Sequence, residues 1–124
     1  MKIPSLELAI AVNHAVREND EWFDEPDDLE RVERALAAAA GIEEPVRAAS
    51  VLASRVARSQ GFTEGNKRTA LLLARWILDH NGVDGARLLP ADDRRFADPL
   101  VKAASGGDVE AEMIDLLLER NQRR

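Results

Sequence analysis

Along most of the chain apolar residues recur every three to four positions, a helical period, and short polar stretches interrupt the pattern. Leu6, Ile10, Val12 and Val16 mark the apolar face of a first helix from about Ser5 to Glu18, with Ser5 as its N-cap. The acidic stretch "ENDEWFDEPDD" ends it with Pro26 and two aromatics, Trp22 and Phe23, that look exposed. A second helix, "DLERVERALAAAA", is predicted to be capped by Asp27, with Glu30 at the capping-box spacing, and to stop at Gly41. A third starts at Pro45, where a fixed φ suits a first turn, and runs to about Arg58. A fourth starts at Gly65 or Asn66 and ends at Asn81-Gly82. Its middle, "TALLLARWIL", is apolar nearly all round and so should pack on several sides. "VDGARLLPADD" reads as a loop with room for a short strand. Two last helices are predicted at about Arg94 to Ala104 and Asp108 to Arg120, parted by "SGG". The pattern predicts a compact all-α bundle of about six helices, and with no repeat or linker it reads as one domain over residues 1–124.

Composition narrows this picture. Hydrophobic residues make up 45% of the chain but aromatics only 4%, so the core must be built from Ala, Leu, Val and Ile in close-packed helices. Without cysteine there is no disulfide framework and no thiolate zinc site. The first twenty residues are broken by Glu7 and Asn13, too polar for a signal peptide or membrane span, so the expectation is a cytoplasmic protein without a membrane partner. A net charge of −6 argues against general nucleic-acid binding. Yet Arg55, Arg58, Lys67, Arg68 and Arg75 face only Glu64 between positions 55 and 75. A locally positive site on an acidic body suits a small anionic ligand such as a nucleotide.

The stretch "SQGFTEGNKRTALLLARW", residues 59–76, shows where that ligand would sit. A helix N-terminus presents unpaired N–H groups and the positive end of the macrodipole. Gly65 lets backbone approach a phosphate closely, Asn66 can donate from its amide, and Lys67 and Arg68 bring charge, Arg68 with a two-pronged fork. Glu64 offers a hard oxygen ligand for Mg²⁺, and Phe62 is expected to plug into the core and pin the loop. Two cations in a first turn oppose the helix dipole unless an anion offsets them.

"QGFTEGNKRTA" resembles the signature of the Fic/Doc superfamily, H-x-F-x-[D/E]-G-N-x-R in the Fic branch and H-x-F-x-D-A-N-K-R-T-A in Doc toxins. Phe62, Glu64, Gly65, Asn66, Lys67, Arg68, Thr69 and Ala70 each match one branch or the other, and Lys67 to Ala70 is more similar to Doc. "NGV" at 81–83, "AASGG" at 103–107 and "IAVNHA" in the first helix are also similar to Doc toxins. The resemblance implies an all-helical domain that transfers part of ATP, with Mg²⁺, to a protein hydroxyl. Fic members move AMP; Doc members move the terminal phosphate, with elongation factor Tu as target. It further implies that Gly65, Asn66, Lys67 and Arg68 grip the phosphates, that Glu64 assists Mg²⁺, and that the general base belongs at position 60. The autoinhibitory S/T-x-x-x-E-[G/N] pattern of many Fic proteins is matched poorly by "HAVREN", where His14 stands for Ser or Thr and Glu18 for the blocking Glu. Control by a separate Phd-like antitoxin is the expectation.

Gln60 departs from the pattern. Imidazole takes a proton near neutral pH, whereas an amide orients a hydroxyl without deprotonating it. Losing a general base costs about 10²–10⁴ in rate. His80 lies about 21 Å along the fourth helix from Asn66 and cannot substitute, and His14, on the first helix, is a weak stand-in. Three accounts stay open: a disabled version of a toxic enzyme, a natural member whose phosphate grip serves another purpose, or slow transfer by positioning alone. Two rivals stand beside these. One is a Fic/Doc-fold binding module without catalysis. The other is a helix-turn-helix DNA reader, which the long loop from Ser59 to Gly65 and the apolar fourth helix disfavour. Trp76 and Phe96 are expected in the core, and Trp22 and Phe23 as a flap over a target segment or antitoxin groove.

Overall fold

The computed structural model describes residues 1–17, 27–62, 65–90 and 94–122. These residues form seven helices: α1 (Leu6–Val16), α2 (Leu29–Ala40), α3 (Pro45–Ser59), α4 (Asn66–His80), α5 (Gly85–Leu88), α6 (Arg94–Ala104) and α7 (Glu110–Gln122). No strand occurs among the described residues, and the all-α class read from the sequence holds.

Local chemistry sets most boundaries. Ser5 caps α1 by accepting from the Leu8 N–H at 3.1 Å. Asp28, one residue later than the sequence suggests, caps α2 by accepting from the Arg31 N–H at 3.4 Å. Asp27 is drawn away by an ion pair with Arg17. Both carboxylate oxygens of Glu44 cap α3, on the Val46 and Arg47 N–H groups. At the far end of α4, Gly82 takes a positive φ of 82° and the Val83 N–H reaches back to the Leu78 carbonyl at 2.9 Å, as a helix stop with glycine requires. The segment expected as a loop or short strand instead contains the single turn of α5, because Asp84 caps it through the Arg87 N–H at 3.2 Å.

One apolar cluster runs from Ala9 on α1 to Leu117 on α7. Its axis is α3, which packs against α2, α4, α6 and α7. Small side chains make this possible: Ala48, Ala49, Ala53 and Ala57 are all fully buried, so α3 approaches its neighbours closely. The fourth helix packs against α1, α3, α5 and α6, with Ala70, Leu73, Ala74, Ile77 and Leu78 fully buried. A helix so enclosed cannot lie in a DNA groove. Phe96 is in the core as expected, whereas Trp76 is only half-buried and stacks on the His80 ring at 4.0 Å. Among the described residues, no helix is long and apolar enough to cross a membrane.

Candidate phosphate-binding site at the start of α4

The bend that leads into α4 begins at Gln60, the C-cap of α3, with φ 51° and ψ 33°. This left-handed conformation costs a residue with a side chain about 1–2 kcal/mol, and Gln60 is the one non-glycine with positive φ among the described residues. Its side chain offsets the strain. Nε2 donates to the Ala57 carbonyl and to the Ala104 carbonyl, both at 3.0 Å, and so ties the end of α3 to the end of α6. Both amide hydrogens are thereby engaged, and Oε1 remains as the acceptor.

Gly61 follows under α2. A Cβ there would lie 2.6 Å from Val32 Cγ2 and 2.9 Å from the Asp28 carbonyl oxygen, so only glycine fits. Its carbonyl accepts the Asp28 N–H at 2.6 Å, and Arg31 Nη1 donates to the Ser59 carbonyl at 3.3 Å. The Phe62 ring is buried in the core, as the sequence suggested.

Gly65, at φ 79°, opens α4. It is a cap without a side chain, whereas Ser5, Asp28, Glu44 and Asp84 close α1, α2, α3 and α5 with an oxygen. The first ladder bond of α4 runs from the Thr69 N–H to the Gly65 carbonyl at 2.9 Å. The N–H groups of Asn66, Lys67 and Arg68 therefore have no carbonyl acceptor within the helix and lie at the positive end of its dipole. Lys67 and Arg68 are exposed in the same turn. Asn66 behaves differently from expectation. It is 6% exposed, and its amide faces inward, accepting from the Phe62 N–H at 3.1 Å and donating to the Phe62 carbonyl at 2.8 Å. The contact from Asn66 Nδ2 to Gln60 Oε1 is longer, at 3.5 Å. Asn66 thus shapes the loop with its side chain and leaves the outward face to its backbone.

Beneath this turn lies a polar connection that the sequence reading missed. Asn13 is fully buried on α1, donates to Thr69 Oγ1 at 3.1 Å and accepts from Arg17 Nε at 2.5 Å. Arg17 in turn pairs with Asp27 and lies over the Phe62 ring, 5.9 Å from its centroid. One chain of contacts therefore joins α1, the start of α2, the loop and α4. The available signal was the i,i+4 spacing of Ala9 and Asn13, the two buried residues of α1, which puts an amide where an apolar side chain belongs.

The structure brings Gln60, Gly65, Asn66, Lys67 and Arg68 to one end of α4. Glu64, the expected Mg²⁺ ligand, lies outside the described residues, as do Glu18, Trp22 and Phe23. No group of three or more carboxylate, imidazole or thiol side chains that could hold a metal occurs among the described residues. His80 sits at the opposite end of α4 with Nδ1 2.9 Å from the Trp76 carbonyl oxygen, and His14 is exposed on α1. The model of the Fic/DOC family matches residues 4–78, a span that runs from α1 into the last turn of α4 and includes Gln60, Gly65, Asn66, Lys67 and Arg68. No curated protein and no solved structure matches the chain significantly.

Proposed function

The chain belongs to the Fic/DOC family, and on that premise we propose that it is a Doc-like domain that holds the phosphates of ATP at the start of α4. The reaction class is transfer of phosphate or AMP to a protein hydroxyl, impaired as the sequence stands by Gln60. The observation that carries this reading is the opening turn of α4: a left-handed glycine cap followed by two exposed cations. Backbone N–H groups, dipole and cationic side chains converge there, an arrangement that fits a polyphosphate.

Bound ATP with Mg²⁺ would supply the electrophilic phosphorus. The chain's own residues then bind and orient it. Arg68 matches two phosphate oxygens with its fork, Lys67 adds charge, and Gly65 admits the close approach. Asn66 keeps the loop in shape through Phe62. Gln60 presents Oε1 as a hydrogen-bond acceptor for a target hydroxyl but takes no proton, so transfer as written is slow or absent. Because its amide hydrogens are both used, one on Ala57 of α3 and one on Ala104 of α6, Gln60 is a fitted part of this fold. That favours, as a second reading, a member that binds nucleotide or partner without catalysing transfer.

The run from Lys67 to Ala70 supports the Doc branch, and with it a toxin that phosphorylates a translation factor such as elongation factor Tu under control of a separate Phd-like antitoxin in the cytoplasm. The test has two steps. Calorimetric titration with ATP and Mg²⁺ should show binding that Arg68→Ala removes. Then Gln60→His should label a protein in bacterial lysate from γ-labelled ATP if phosphate moves, or from α-labelled ATP if AMP moves. No labelling from either, with nucleotide still bound, discards the transferase in favour of the binding module.

A further inference from the structure

The tetrapeptide R-V-x-R occurs twice, as Arg31-Val32-Glu33-Arg34 on α2 and Arg55-Val56-Ala57-Arg58 on α3. Val32 and Val56 are both fully buried, so each repeat drives its valine into the core and sets two arginines, three residues apart, along the outer edge. The two helices pack together, and their four arginines line one open cleft of about 420 Å³, with Ala35, Ser59, Asp108 and Glu110 completing its walls. On a chain of net charge −6, four arginines gather here against two acidic residues, Asp108 and Glu110.

Existing ion pairs do not account for it. Arg31 meets Asp28 and Arg34 meets Glu30, in pairs whose side chains are all more than half exposed. Such pairs are worth little and exchange readily. Arg55 is held more firmly by Glu110 at 2.6 Å, and Arg58 makes no ion pair with a described residue. Arg34 and Arg58, one on each helix, are thus the cations most available to an outside anion.

We infer that this cleft docks an extended acidic segment of a partner protein, independently of nucleotide at α4. Its shape and spacing select that chemistry. The arginines come as two i,i+3 pairs, one on each helix, and Cβ atoms at that spacing stand about 5–6 Å apart. An extended chain places alternate side chains on one face at about 6.6 Å, close enough for flexible guanidinium groups to meet successive carboxylates. A cleft of about 420 Å³ takes a single extended chain and is too small to seat a duplex.

The probe is a fluorescein-labelled decapeptide of alternating Glu and Ser, titrated with the full chain at low salt and followed by anisotropy. Saturable binding is expected, weakening with added salt and falling about tenfold or more in the double variant Arg34→Glu/Arg58→Glu. The gentler Arg34→Gln/Arg58→Gln should fall less, with both variants still fully helical by circular dichroism at the assay temperature. Arg68→Ala should bind the peptide as the parent does, which separates this cleft from the start of α4. Absence of binding at low salt overturns the inference, as does a loss that follows Arg68→Ala and not the cleft variants. It is equally overturned if tripolyphosphate or a short DNA duplex displaces the peptide at a lower concentration than unlabelled peptide does.

Discussion

Asn66 holds the backbone of Phe62 from both sides, accepting its N–H at 3.1 Å and donating to its carbonyl at 2.8 Å. The seat of the buried Phe62 ring and the first residue of α4 are therefore one unit, so the loop cannot shift without pulling an aromatic out of the core. An asparagine side chain copies the donor–acceptor pattern of a peptide group, and no other short side chain does.

Asn66→Asp tests this closely. A carboxylate keeps the acceptor for the Phe62 N–H but sets a second oxygen against the Phe62 carbonyl, where no donor remains. A loss of about 1–3 kcal/mol is expected, read as a lower midpoint in urea denaturation. An unchanged midpoint would show that the reciprocal pair does not hold the loop.

Thr69→Val removes the hydroxyl that Asn13 Nδ2 donates to at 3.1 Å and so takes a hydrogen bond from a fully buried amide. The expected cost is again about 1–3 kcal/mol. Asn13→Ala costs at least as much, because Arg17 also loses its partner on α1. A double-mutant cycle of the two should show coupling above about 0.5 kcal/mol; strictly additive losses would mean that the network is not shared.

Gly61→Ala places a methyl group 2.6 Å from Val32 Cγ2 and 2.9 Å from the Asp28 carbonyl oxygen. Overpacking of this kind costs about 1–3 kcal/mol. Adding Val32→Ala relieves the side-chain clash but not the backbone one, so rescue in thermal melts should be partial at best. Full tolerance of Gly61→Ala alone would mean that α2 can move away from the bend.

Gln60→His introduces a group able to accept a proton near neutral pH, and labelling of a protein target should rise by about 10²–10⁴ if a missing base is what limits transfer. Gln60→Ala separates the structural part of the role. It gives up the bonds to Ala57 and Ala104, at 3.0 Å each, and should lower stability without any gain in labelling. Equal labelling by the His and Ala variants would remove the base from the account.

Helix by helix, the sequence was a good guide wherever local chemistry sets the boundary. Ser5, Pro45 and Gly82 signal their own turns, and the periodicity of α3 and α4 follows from burial on several sides. Errors arose where a distant partner decides. Asp27 and Asp28 are equally good caps in isolation, and only the ion pair with Arg17, ten residues earlier, assigns the role to Asp28. The short α5 is set by Asp84 together with Asp79, which accepts the Gly85 N–H at 2.7 Å, and Arg120, which donates to the Leu88 carbonyl at 2.7 Å, partners that a local reading does not see. At the site, the motif located Gly65, Lys67 and Arg68, but the inward turn of Asn66 and the tie from Gln60 to Ala104 are tertiary facts. So is the meeting of the two R-V-x-R repeats, each unremarked as a surface turn until α2 and α3 fold against each other.

The alanines of α3 bear on how such a domain can change over time. With Ala48, Ala49, Ala53 and Ala57 sealed between neighbouring helices, the frame has no slack for bulkier side chains. Gln60 stands outside that seal, on the exposed rim where α3 stops. A change at position 60 therefore loosens the tie between α3 and α6 but leaves the alanine packing untouched, so it is felt at the rim and not in the core.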